Sequence, residues 1–191
     1  PPDSSATEEF SVPPPTAAIL TEGDLFLSGG TTLKGFGKAA GVPSATWASG
    51  GSLNTARRGT AGFGLQTAAV AAAGSTGSTV ANSESYNGSS WTEGNDVNTA
   101  RFDIAAAGTQ TAGIIFSGDP YSATTETYDG TSYTEVGDLN TARQKASAFG
   151  TQPLAICAGG EAPGGAQAIT ESWDGSSWTE VGDLNNARFG L

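Results

Sequence analysis

One five-residue phrase recurs four times along the chain, and any fold proposed for it must repeat in step. Leu53-Asn54-Thr55-Ala56-Arg57 returns as Val97-Asn98-Thr99-Ala100-Arg101, then as Leu139-Asn140-Thr141-Ala142-Arg143, and finally as Leu184-Asn185-Asn186-Ala187-Arg188. The arginines are 44, 42 and 45 residues apart. A second marker keeps the same step: Glu84 to Trp91 (ESYNGSSW), Glu126 to Tyr133 (ETYDGTSY) and Glu171 to Trp178 (ESWDGSSW). In each copy the last aromatic stands six residues before the Leu or Val of the next phrase. A fixed period of this length means one supersecondary unit stacked on copies of itself.

Within a unit the chemistry reads as β-structure. A small-residue stretch follows the arginine (Phe102 to Gly108), then a polar turn at Thr109-Gln110 and an apolar run from Ala112 to Phe116. The run closes on Ser117-Gly118, and its equivalents close on Ala73-Gly74 and Gly159-Gly160. A variable Gly/Ser/Pro-rich loop leads into Thr125-Glu126-Thr127-Tyr128. Asn87-Gly88, Asp129-Gly130 and Asp174-Gly175 then carry the residue types that tolerate the paired positive φ of a tight hairpin. Four short strands are therefore expected per unit. No stretch has a 3.6-residue period long enough for a helix, and Ala68 to Ala73 reads as a buried strand. Four strands in 42–45 residues is the size of a propeller blade. Small residues suit the crowded inner strands, and Trp47, Trp91, Tyr133 and Trp178 suit wedges between outer strands of neighbouring blades.

Composition narrows the function. Eight Lys and Arg against 19 Asp and Glu give a net charge of −11, too few cations for a nucleic-acid partner. No apolar run approaches the ~20 residues of a membrane-spanning helix. Histidine is absent, which removes the commonest general base and metal ligand, so neither a catalytic centre nor a cofactor is expected. The single cysteine, Cys157, lies in an apolar strand and reads as a small buried hydrophobe. With no methionine and a proline at position 1, the chain is expected to be a processed product or a piece of something longer.

The N-terminal part breaks the register. Thr7-Glu8-Glu9-Phe10 matches the third strand of a unit, but Pro13-Pro14-Pro15 follows where the fourth should form. The matching fourth-strand aromatic is Trp47, six residues before Leu53. Residues 13–46 are either a long insertion within one blade or, the preferred reading, a connector between the end of one blade (1–12) and three full repeats in an incomplete ring (47–191). Two short apolar runs about Gly29-Gly30 predict a β-hairpin in that connector.

The Arg followed by small residues, the apolar strand ending in Gly159-Gly160, and the Tyr or Trp followed by Trp resemble kelch repeats over residues 47–191. Two copies depart from the double glycine, and the spacing between aromatics is shorter than in most kelch repeats. The hairpin leading through Gly41-Val42-Pro43 to Trp47, with the phrases Leu53 to Arg57, Gly150-Thr151-Gln152 and Thr170 to Trp178, is similar to kelch-like proteins of marine tailed-bacteriophage virions. That resemblance implies an all-β propeller at the virion surface: a fibre, tail appendage or decoration, with other virion proteins and copies of itself as partners and a host-surface glycan as candidate ligand. The alternatives are the scaffold of a secreted carbohydrate-active enzyme and a bacterial adhesin or filament subunit.

The recurring Arg57, Arg101, Arg143 and Arg188 are expected to serve the blade itself, bonding carbonyls or a carboxylate once per unit. The recurring Glu8, Glu84, Glu126 and Glu171 follow the same logic. Copies differ most between the second and third strands, which makes Ser75, Thr76, Asp119, Pro120, Tyr121, Glu161 and Pro163 the candidate recognition residues.

Overall fold

A computed structural model describes residues 24–28, 32–36 and 50–190. The chain divides into two units, residues 1–49 and 50–191. In the first, β1 (Asp24–Ser28) pairs antiparallel with β2 (Thr32–Phe36), so Leu27 lies opposite Leu33. Trp47, the 1–12 segment with Glu8, and the rest of the connector lie outside the described residues.

The second unit is three four-stranded antiparallel sheets in tandem, with no helix among the described residues. Sheet one holds β3 (Ala61–Leu65), β4 (Ala68–Ser75), β5 (Thr79–Tyr86) and β6 (Trp91–Glu93), in that order. Sheet two holds β7 (Ala105–Thr109), β8 (Ala112–Phe116), β9 (Thr125–Tyr128) and β10 (Tyr133–Glu135). Sheet three holds β11 (Ser147–Thr151), β12 (Leu154–Ala158), β15 (Thr170–Trp173) and β16 (Trp178–Glu180). A small hairpin, β13 (Glu161–Ala162) with β14 (Gly165–Ala166), is inserted between its second and third strands. The first strands of the three sheets lie side by side.

Alternation along the strands gives the middle sheet two buried faces. Sheet two turns Ile104, Ala106, Ile115, Tyr128 and Tyr133 towards Phe63 and Val70 of sheet one. Its opposite face turns Ala105, Ala107, Ile114 and Phe116 towards Ala155, Cys157, Trp173 and Trp178 of sheet three. Aromatic hydroxyl and indole groups bridge the sheets. Tyr133 Oη shares a 2.8 Å hydrogen bond with Ser83 Oγ, and Trp178 Nε1 donates to Thr125 Oγ1 at 3.0 Å. Trp178 therefore acts between sheets. Trp91 at the same repeat position is half-buried and donates to Gly51 O, so it does not bridge two of the described sheets.

One local expectation needs correction. The Asn-Gly and Asp-Gly turns are not paired positive-φ hairpins, because only Gly88, Gly130 and Gly175 take positive φ. Each connection is instead a four-residue loop in which the Asn or Asp oxygen accepts two amides: Ser89 and Ser90 on Asn87, Thr131 and Ser132 on Asp129, Ser176 and Ser177 on Asp174. Those amides, led by Ser177, hold the Asp174 carboxyl down at about 2. The paired positive φ falls at the end of the second strand, at Ala73-Gly74, Ser117-Gly118 and Gly159-Gly160. A Cβ at Gly118 would lie 3.1 Å from the Arg101 side chain, so the glycine there also makes room for the arginine.

Side-chain volume is matched across the interfaces. A Cβ on Gly113 would collide with the Phe63 ring, whereas the same two repeat positions at the next interface are Ala107 and Ala155. Gly113→Ala should therefore destabilise the protein by ~1–3 kcal/mol through overpacking. Phe63→Ala should cost about 3–5 kcal/mol by opening a cavity. The double variant should fall short of the sum by at least ~1 kcal/mol in denaturant titrations, and strict additivity would mean the two positions do not share a space.

Candidate functional site

The repeated phrase folds into an ion-pair clamp ahead of the first strand of each sheet. Arg57 Nη1 meets Glu84 Oε1 at 2.7 Å, Arg101 meets Glu126 at 2.6 Å, and Arg143 meets Glu171 at 2.6 Å, all with buried side chains. Each carboxylate does more than pair. Glu126 Oε2 accepts the Asn98 backbone N–H at 2.8 Å and its side-chain amide at 3.0 Å, while Oε1 accepts Thr99 N–H at 3.3 Å. Glu84 and Glu171 take the corresponding backbone amides of Asn54, Thr55, Asn140 and Thr141. The asparagine amide goes on to the fourth strand, donating to Trp91 O, Tyr133 O and Trp178 O in turn.

The arginines spread their remaining donors over carbonyls. Arg101 gives Nε to Ser117 O and Nη1 to Thr99 O, and Arg143 gives Nη1 to Thr141 O. Arg143 Nη2 also lies 3.0 Å from Cys157 Sγ. Burial nevertheless pushes the thiol up to about 11, against the pull of that guanidinium, which leaves Cys157 a poor nucleophile. The same phrases tie sheet to sheet through the backbone. Gly74 N–H donates to Arg101 O, Gly118 N–H to Arg143 O, and Gly160 N–H to Arg188 O.

A second ladder runs along the inner strands. Asp103 N–H donates to Gly59 O, Lys145 N–H to Asp103 O, and Gly190 N–H to Lys145 O, at 2.8–3.1 Å. All four residues have positive φ, so Asp103 and Lys145 carry strain that glycine avoids at the other two positions. A cleft of about 310 Å³ is lined by Gly59, Thr60, Asp103, Ile104, Lys145, Ala146 and Gly190. Its charged groups are Asp103 and Lys145. Lys145 Nζ is held 3.0 Å from Glu161 Oε2, which raises the lysine and lowers the carboxyl. Among the described residues no group of three or more His, Cys, Asp or Glu is placed to hold a metal ion.

The loop residues divide. Thr76, Pro120 and Pro163 are exposed, and Tyr121 is 37% exposed at a positive φ of 35°. Ser75 is not a loop residue. It ends β4, is buried, and exchanges backbone hydrogen bonds with Arg58. Asp119 and Glu161 bridge in the same way to Phe102 and Gln144, so their backbones serve the scaffold. Because all three bridges join the second-to-third-strand connections to the segments entering the first strands, the exposed loop residues and the inner ladder share one end of the sheets.

Sequence reasoning missed Gln110 and Gln152, whose amides cross to Tyr86 O and Tyr128 O of the preceding sheets. The signal was present, since a glutamine stands at the same turn in every repeat, at Gln66, Gln110 and Gln152. No helix among the described residues is long and apolar enough to cross a membrane. Neither protein-family models nor curated proteins give a match to this chain.

Arg188 provides an internal control. It belongs to the fourth phrase, is exposed, and has no carboxylate partner among the described residues. Glu126→Gln should destabilise the fold by ~3–5 kcal/mol, because it leaves the Arg101 charge buried and uncompensated. Arg188→Ala should stay within ~0.5 kcal/mol. Chemical denaturation of both variants checks the contrast, and equal effects would mean that the buried pairs carry no special weight.

Proposed function

We propose that this chain is a non-enzymatic structural protein of a tailed-phage particle, a kelch-like β-propeller in a fibre, tail appendage or surface decoration. It works at the virion surface among other virion proteins and copies of itself, and the loops at the Tyr121 end meet a host-surface glycan. The observation that carries the non-enzymatic part is the fate of the repeated charges. Glu84, Glu126 and Glu171, the carboxylates that recur once per sheet, are all buried and spent on arginines and backbone amides, so none of the three is free to serve as a glycosidase acid or base. The kelch and virion parts rest on the repeated sequence phrases and on the connector resemblance. The four-stranded antiparallel sheets are compatible with propeller blades.

In this reading the scaffold is stiff because its ties recur at every interface, while the exposed variation is concentrated in the connections around Thr76, Tyr121 and Pro163. Proteomics of density-purified phage particles tests it. Peptides of this chain should band with capsid and tail proteins. Their recovery only in a particle-free secreted fraction would contradict the virion assignment and favour a bacterial adhesin.

A further inference from the structure

Among the described residues, sheet three presents an uncovered copy of an interface that is covered twice elsewhere in residues 50–190. The residues that seal the first two interfaces have direct repeat equivalents on its outer face. Val70 and Ile114 are 1% and 0% exposed, yet the equivalent Ile156 is only half-buried. Val97 and Leu139 are both 4% exposed, whereas Leu184 is half-buried. Phe63 is 7% exposed against sheet two, but its equivalent Phe149 is 59% exposed. Val136 packs into the second core cluster, while Val181 is 41% exposed.

The fourth phrase is already docked onto this edge. Leu184 N–H donates to Ala168 O, Arg188 N–H to Gln167 O, and Gly160 N–H to Arg188 O. The first and third of these bonds repeat those made by Val97 and Arg101, and by Leu139 and Arg143, on the two preceding sheets. At those interfaces the arginine side chain then reaches forward to the glutamate of the following sheet. Arg188 is thus set in place with its donors unused by any carboxylate among the described residues.

We propose that this face docks a fourth sheet of the same repeat class, one bringing a glycine on its second strand at the Gly113 position and an unclaimed glutamate on its third. The glycine is required by Phe149, since the only described interface that seats a phenylalanine at this position does so over Gly113. The glutamate is required by Arg188.

Both requirements argue against a second copy of the chain presenting its first sheet. That sheet carries Ala69 where the glycine is needed, and its Glu84 is already taken by Arg57, Asn54 and Thr55. A second copy would also bring its own phrase into the place that residues 184–188 occupy. The inference rests on the repeat geometry and stands apart from the virion reading.

The test extends the full chain after Gly190 with a copy of residues 104–136, which supplies Gly113 and Glu126 and lets the existing Arg188 phrase lead into the new sheet. Hydrogen-exchange mass spectrometry follows the β11 and β12 peptides in the extended and original chains. Exchange should slow by about 10-fold or more on extension. Most of that gain should vanish when the appended copy carries G113A or E126Q, variants that leave the original residues untouched. Unchanged exchange, or slowing that survives both variants, would overturn the proposal. So would sedimentation showing that the original chain dimerises and protects β11 by itself, because a second copy would then be the occupant.

Discussion

The structure depends on a carboxylate buried once per sheet. An isolated ionised carboxylate cannot be taken out of water without a compensating cation and hydrogen bonds, and these glutamates receive both. Glu126 is typical: a guanidinium at 2.6 Å, two backbone amides and a side-chain amide converge on its two oxygens. The ion pair is not a surplus of stability, because desolvation offsets much of the Coulombic gain. Its value is positional. The carboxylate fixes the phrase against the third strand, and the phrase in turn offers the Arg101 carbonyl to Gly74 of the preceding sheet.

That arrangement also sets what the few cations of this acidic chain do. Three of its eight Lys and Arg residues are consumed in the clamps, and Lys145 is tied to Glu161. Half of the eight are thus bound up in the scaffold. What varies between repeats is the filling between sheets and the connections at one end. Phe63 over Gly113 becomes Ala107 with Ala155, and a bare turn at Thr76 becomes the β13–β14 hairpin in sheet three. A constant clamp with variable filling is how a repeat protein keeps its geometry while its exposed residues differ.

Much of this was legible in the linear order of residues. The period, the four strands per unit and the structural use of the arginines follow from phrases that keep step. The pairing does not: Arg101 is nearer in sequence to Glu84 than to Glu126, yet strand register delivers it to Glu126. Ser75 looked like loop because Gly, Ser and Thr crowd residues 74–79, but the β4–β5 ladder resumes after a register shift and runs through it. The turn dipeptides were legible as turns and misread in type, since a side chain that accepts two amides removes the need for a second positive φ. Trp91 and Trp178 are indistinguishable by motif. Their environments differ because burial is set by the adjoining sheet and not by the repeat.

The central claim is that the buried glutamate, through the phrase it holds, locks each sheet to the one before it. Native-state hydrogen exchange read residue by residue by NMR addresses it directly. The account predicts that the Asn98 and Asn140 amides, held by Glu126 and Glu171 at 2.8 and 2.7 Å, exchange as slowly as the core amides of β8. The Asn185 amide, in the phrase whose arginine lacks a carboxylate, should exchange at least about 100-fold faster. Equal exchange at Asn98, Asn140 and Asn185 would contradict it.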